Sequence, residues 1–236
     1  MLNKYLDLLA YFGIGGAHPG GFALTKSILQ DQGLQPYESV LDIGCGTGQT
    51  AAYLAQKFGC KVTALDNHPI MIAKAQERIK DSSFPIKVIK GDVKNLVFED
   101  NSFDVIISES VITFTNITKT LDELTRVLKT NGRMIMIEMT AEKDLSEELR
   151  SKVSSLYGIR EVLNEEEWIL KLKQAGFTKI DIIDTPPELK QSEVNDINQS
   201  ENLSLELYDL LDMHNNFVHQ YQSVIGFRAF NCHISK

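Results

Sequence analysis

Apolar positions along this chain switch between two spacings, and the switches mark out elements. Residues 40–43, 61–65, 86–90, 105–108 and 133–139 are short runs dominated by valine, isoleucine, leucine and methionine, and read as strands. Between them, residues 49–58, 70–80 and 119–128 place apolar side chains at helical spacing. Pro69 stands at or near the first turn of the second of these helices, and Asn131-Gly132 turns the chain into the fifth strand. Alternation of this kind predicts a parallel sheet with right-handed crossovers. No internal repeat and no Gly/Ser linker interrupts it.

The flanks follow other patterns. Residues 1–12 read as a helix with Leu2, Tyr5, Leu6, Leu9 and Phe12 near helical spacing. Residues 13–21 hold five glycines and a proline, which is incompatible with regular structure. A second helix is expected over 22–32, ending at Gly33. After the fifth strand, residues 161–176 read as a helix burying Trp168, Leu172 and Ala175, and residues 179–184 as a strand. Residues 186–223 are polar and helical in pattern, with Leu203, Leu207, Leu210 and Leu211 forming an apolar stripe. An excursion this long before the final strand, 224–234, suits a lid or a substrate wall.

Composition narrows the picture. The 236 residues fit one domain, and a 43% hydrophobic fraction fills a sizeable core. No run of 18 or more apolar residues exists, so no membrane span is expected, and residues 1–12 lack the features of a signal peptide. The three cysteines, Cys45, Cys60 and Cys232, lie far apart and fit reduced thiols of a cytoplasmic protein, with neither a metal site nor a disulfide framework. A net charge of -8 weakens attraction to nucleic acid and to anionic membranes, so neither is expected as a partner. No GxSxG elbow is present.

The chemistry concentrates at residues 40–50, Val-Leu-Asp-Ile-Gly-Cys-Gly-Thr-Gly-Gln-Thr. Glycines here let backbone approach a ligand at a helix start. A dinucleotide fingerprint would place a third glycine at position 49, where this chain has Gln49. Asp42 precedes the turn, and a carboxylate there suits a cationic or amine-bearing ligand better than a pyrophosphate. Asp66 ends the second strand, where a carboxylate accepts bonds from ribose hydroxyls. It is otherwise the cap of the following helix, a role open to Asn67 as well. Gly91-Asp92-Val93 ends the third strand, placing Asp92 for an adenine amino group and Val93 for the ring, or forming a simple turn.

The series from 40 to 140 resembles a class I S-adenosylmethionine-dependent methyltransferase. It comprises the glycine motif, Ala-Leu-Asp at 64–66, Gly91-Asp92, the run Phe-Glu-Asp-Asn-Ser-Phe-Asp at 98–104, and Arg126 to Arg133. It is most similar to the small-molecule methyltransferases related to those of ubiquinone and menaquinone biosynthesis. The resemblance implies an α/β, Rossmann-like, doubly wound seven-stranded sheet, mostly parallel, with an antiparallel last strand. It also implies one domain, with a helical cap at 1–35, a cofactor-binding core at 36–140, and sheet completion at 141–236 around the helical insertion 186–223. S-adenosylmethionine, leaving as S-adenosylhomocysteine, is the implied cofactor, and no metal is required. Gly44, Gly46 and Gly48 would line its methionine and ribose portions, Asp66 the ribose, and Asp92 and Val93 the adenine. Ser108 and Glu109 would face the methyl group, and Asp42, Cys45, Thr47, Asn67, Met71 and Gly91 complete the expected cofactor wall.

The acceptor is expected to be a small molecule. Glu109 is the first candidate for a catalytic group, because a carboxylate ending a central strand lies in the cleft. His18, in the glycine-rich loop, is the second, either as a base or as a bond to the cofactor. Glu138 is a weaker candidate; His214 and His219 lie on the late excursion, and Tyr157, Tyr208, Tyr221 and Trp168 are read as core before pocket. A non-catalytic S-adenosylmethionine sensor is the alternative, ahead of an NAD-dependent oxidoreductase.

Overall fold

A computed structural model of the chain describes residues 3–185, 197–201 and 203–235. Seven strands form one sheet: β1 (Ser39–Ile43), β2 (Lys61–Asp66), β3 (Ile86–Lys90), β4 (Phe103–Glu109), β5 (Leu128–Ala141), β6 (Phe177–Ile183) and β7 (Ile225–Ile234). Their order is β3-β2-β1-β4-β5-β7-β6. All neighbours from β3 to β5 run parallel, and β7 is antiparallel to both β5 and β6. The expected sheet, with its antiparallel last strand, is therefore the observed one.

Helices cover both faces, as parallel strands require. Leu41, Ile43 and Ile106 pack with Ile117, Leu121 and Leu124 of α5 (Ile117–Val127) and with Trp168 and Leu172 of α7 (Glu165–Gln174). On the other face, Val40, Val62 and Ile107 pack with α2 (Gly21–Gln30) and α3 (Gln49–Phe58), and Ala75 of α4 (Pro69–Ile79) joins them. A third cluster ties α1 (Lys4–Phe12), α6 (Glu147–Tyr157) and α8 (Leu205–Tyr221) above one end of the sheet through Tyr5, Leu149, Val153, Phe217 and Val218. These three helices form the cap.

Local chemistry explains several boundaries. Asn3, Asn116, Ser146 and Asn164 each accept a backbone N–H at a helix start, and Glu167 completes a capping box at α7. That box starts α7 later than the apolar pattern alone suggests. Helix α6 was not expected, because its buried residues are too sparse to outweigh its polar surface. Residues 186–196 and 202 of the expected insertion lie outside the described residues; α8 accounts for much of the remainder. At the edge of the sheet opposite the cap, Arg133 pairs with Glu38 at 2.7 Å, and Asp104 accepts from Lys129 at 2.8 Å and from the Ser39 N–H at 2.9 Å. Beyond β5, Arg228 bridges Glu142 and Glu165, each at 2.6 Å. Charge pairing thus ties the amino-terminal ends of β1, β4 and β5, while the cap lies over the carboxyl ends.

Trp168 is fully buried, and its indole N–H donates to the Met139 carbonyl at 3.0 Å. Trp168→Ala is expected to lower unfolding free energy by about 3–5 kcal/mol, and Trp168→Phe by less, since it keeps most of the ring and forfeits the bond. Urea denaturation measures both. A loss below about 1 kcal/mol for Trp168→Ala would show that α7 is not anchored this way.

Candidate active site

Between the cap and the carboxyl ends of β1 to β5 lies a cavity of about 510 Å³. Its size is that of a small-molecule site, and its position is where ligands bind in open α/β sheets. The glycine turn after β1 forms one wall. There the Cys45 N–H donates to Leu65 O at 3.0 Å, and the Gly46 N–H donates to Asp66 Oδ2, also at 3.0 Å. Gly44 has φ +59°, and a Cβ on it would lie 2.4 Å from Val111 Cγ2, so only glycine fits. A Cβ on Gly46 would instead meet nothing nearer than Met71 at 4.0 Å, so that backbone borders open cavity.

Three carboxylates end adjacent strands in this cavity. Asp42 is 2% exposed, and its Oδ2 has no hydrogen-bond partner among the described residues. Burial pushes its pKa well above the usual carboxylate range, and the charges of Glu109 and Asp66 push the same way. Asp66 is also raised by burial, against the N–H groups of His68 and Gly46 that pull it down. It does not cap α4; neither does Asn67. The cap is His68, whose ring accepts the Ile70 N–H, while Asp66 Oδ1 accepts the His68 N–H at 2.8 Å. Asp92 is exposed and holds the Lys94 N–H at 2.9 Å, with Lys94 Nζ 3.5 Å away; Val93 behind it is buried.

Glu109 is the hub of a buried chain. Its Oε2 accepts from Thr50 Oγ1 at 2.7 Å, and its Oε1 from Thr25 Oγ1 at 2.5 Å. His18 Nε2 lies 2.9 Å from Thr25 Oγ1 and 3.5 Å from Glu109 Oε1. His18 Nδ1 lies 3.0 Å from the Pro19 carbonyl, which only accepts, so that nitrogen carries a proton. Thr25 thus bridges the two, donating to the carboxylate while its oxygen faces the ring nitrogen. This network fastens α2 and its preceding loop to β4 and α3.

Of the expected site residues, the structure brings His18, Asp42, Gly44, Cys45, Gly46, Thr47, Asp66, Asn67, Met71, Gly91, Asp92, Val93 and Glu109 to the cavity lining. Gly48 and Ser108 lie outside it. A Cβ on Gly48 would sit 3.1 Å from Ala75 Cβ, so this glycine serves helix packing. Ser108 is a correction: it is fully buried and donates to Glu138 Oε1 at 3.3 Å, since strand alternation points it away from the face that Glu109 reaches. Thr47 is pinned by Arg78, whose Nε donates to its carbonyl at 2.7 Å. The Cys45 thiol is raised well above its usual range by burial, as befits a packed side chain. The pattern missed Thr25 and Thr50, because isolated threonines in helices carry no signal. It also set aside Tyr157 and His214, which line the cavity with Tyr5 and Phe114. Among the described residues no metal-holding cluster occurs, and no helix is long and apolar enough to cross a membrane.

Glu138, fully buried beneath this site, accepts the N–H groups of Val111, Ile112 and Thr113, and so fixes the 3-10 turn Ile112–Phe114. Burial pushes it up to about 7, against those donors. A folded pKa above the unfolded value stabilises the fold fully below the unfolded pKa, and that contribution is lost as pH rises through the folded one. The wild type should therefore lose about 3 kcal/mol relative to Glu138→Gln between roughly pH 4.5 and 7. Urea titrations of both proteins across that window measure the difference; parallel curves would show that Glu138 does not titrate there.

A seven-stranded sheet in the order β3-β2-β1-β4-β5-β7-β6 with β7 antiparallel, a glycine turn after β1 and a carboxylate ending β2 is the architecture of the class I S-adenosylmethionine-dependent methyltransferases. The comparisons agree. The family model described as methyltransferase domain matches residues 41–136, and one described as anamorsin, N-terminal, matches residues 91–216, beyond the glycine turn. An uncharacterized methyltransferase, YodH of Bacillus subtilis (strain 168), is 35% identical over 97% of this chain and 98% of its own. Phosphoethanolamine N-methyltransferase 1 of Arabidopsis thaliana is 30% identical over 72% of this chain and 34% of its own. Among solved structures, Haemonchus contortus phosphoethanolamine N-methyltransferase 2 in complex with S-adenosylmethionine superposes with a TM-score of 0.77 at 25% identity, covering 98% of this chain and 57% of that one. The chain belongs to the methyltransferase family, and its cofactor is S-adenosylmethionine.

Proposed function

We propose that this chain transfers a methyl group from S-adenosylmethionine to a small-molecule acceptor, with the cofactor lying across the ends of β3, β2 and β1. The observation that carries the reading is the unpartnered Oδ2 of Asp42, buried in a cleft that also holds Asp66 and Glu109. A buried carboxyl oxygen without a partner calls for a hydrogen-bond donor or a positive group in the occupant. The cofactor supplies a methyl group activated on a cationic sulfur. Gly46 leaves room for ligand backbone to pass, Asp66 is placed for a ribose, and Val93 offers an apolar surface for adenine with Asp92 at its edge.

The protein's own task is alignment and exclusion of water. Both carboxylate oxygens of Glu109 already hold a threonine hydroxyl, which favours a fixed negative charge beside the sulfonium over an open base. His18, through Thr25, ties the glycine-rich loop to that carboxylate.

S-adenosylhomocysteine at a hundredfold excess over its Kd should raise the Tm by about 5–10 °C, and Asp66→Ala should weaken its binding at least about tenfold. No shift at millimolar ligand would sink the reading. With an acceptor in hand, Glu109→Gln should cut turnover at least about a hundredfold while binding S-adenosylhomocysteine within about threefold of wild type. Turnover unchanged by Glu109→Gln would remove Glu109 from the chemistry. A wild type that binds the cofactor but methylates nothing in a broad metabolite panel would point to a non-catalytic binding protein.

A further inference from the structure

The cavity has two chemically different halves. Every Asp, Glu, Lys and Arg in its lining among the described residues belongs to the ends of β1 to β4: Asp42, Asp66, Asp92, Lys94 and Glu109. Beyond β4 the lining comes from β5, the 3-10 turn and the cap, and none of those described residues carries one of these charges. Lys94 follows β3, pairs with Asp92, and lies about four strand spacings, roughly 19 Å, from the end of β5.

The polar groups of this second half are held in a fixed arrangement. Tyr157 Oη lies 3.0 Å from His214 Nδ1. Tyr5 stands edge-on to Tyr157, with ring centroids 4.8 Å apart, and 5.3 Å from the His214 ring; Phe114 stacks on Tyr5 at 6.0 Å. These residues come from α1, the 3-10 turn, the end of α6 and α8, segments far apart in sequence. Core packing alone would not require them to surround a cavity.

We propose that this half is the acceptor subsite and takes an uncharged, mainly apolar molecule bearing a hydroxyl, which His214 holds by a hydrogen bond and Tyr157 orients by fixing the imidazole. The inference rests on the methyl-transfer reading above. A phosphorylated or carboxylated acceptor would be buried there without a cation. A protonated amine would find no carboxylate in this half, since Asp42 and Glu109 lie at the ends of β1 and β4 and both oxygens of Glu109 already accept hydroxyls. Burial lowers the His214 pKa, so the ring is neutral at pH 7 and offers one donor and one acceptor. With Nδ1 committed to Tyr157, Nε2 is left for the occupant. Tyr157 is a positioning residue, held as a neutral phenol by burial that raises its pKa.

The test uses the full chain saturated with S-adenosylhomocysteine and equilibrium dialysis of three probes that share one body: 2-naphthol, naphthalene and 2-naphthyl phosphate. In the wild type, 2-naphthol should bind at least about fivefold tighter than naphthalene, the worth of one hydrogen bond, and at least about tenfold tighter than the phosphate. In His214→Leu the naphthol-to-naphthalene ratio should fall towards one, with naphthalene and S-adenosylhomocysteine affinities within about twofold of wild type. Tyr157→Phe should lower the same ratio about twofold, a readout that loss of packing alone would not move. Phosphate binding equal to that of 2-naphthol, or a ratio unchanged in both variants, overturns the proposal while leaving the methyl-transfer reading intact. A wild type that does not bind S-adenosylhomocysteine removes that reading, and this one with it.

Discussion

Negative charge gathered at adjacent strand ends is the constraint around which this molecule is arranged. Asp42, Asp66 and Glu109 stand at the ends of β1, β2 and β4, neighbours within the sheet order, and the charges of Glu109 and Asp66 add to burial in raising the cost of ionising Asp42. Each is compensated differently. Asp66 takes two backbone N–H groups, which fixes the glycine turn against the end of β2. Glu109 takes two threonine hydroxyls, which fixes the helices on either side of that turn to β4. Asp42 retains an oxygen that the described residues do not satisfy. Turn geometry, the attachment of α2 and α3, and ligand charge thus follow from one electrostatic problem.

The same problem explains where the polypeptide is rigid and where it is assembled from afar. The carboxylates can lie so close only because the backbone around them is held from below. Glu138 does this for the turn after β4 by gathering three amides, and the Arg133–Glu38 pair does it at the opposite edge. Charge therefore stays on the sheet, which is locked, while the cap meets the cavity mainly through aromatic and aliphatic surface. On the proposed assignment, a cofactor with fixed charges would be matched by fixed groups, and an acceptor of different chemistry would be met mainly by elements outside the sheet.

Legibility in the sequence follows that division. The sheet could be read because apolar strand runs alternate with helical spacing, and because Asp42, Asp66 and Asp92 recur at successive strand ends. Helix α3 and strand β3 match their expected limits, since a glycine turn and a Gly-Asp pair punctuate them. What could not be read depends on contacts between distant segments. Thr25 and Glu109 are 84 positions apart, and Tyr157 and His214 are 57 apart. Neither pair has a local periodicity or a motif, so a threonine in α2 looks like any helix surface residue and a tyrosine ending α6 like any core residue. Ser108 failed for the opposite reason. Its sequence position beside Glu109 is suggestive, but side chains in a strand alternate faces, and one residue of offset sends it under the sheet edge to Glu138.

That failure bears on how the Glu109 network should be understood. A residue chosen for sitting at a strand end is chosen for its address, and its chemistry is decided by its partners. Had Glu109 stood open to the cavity, a proton acceptor would be the natural reading. With both oxygens holding hydroxyls, removing a proton from an acceptor would require one of those bonds to break. The glycine-rich loop is then more than a cover. By carrying His18 to within 2.9 Å of Thr25 Oγ1, it helps set the hydroxyl that one Glu109 oxygen accepts.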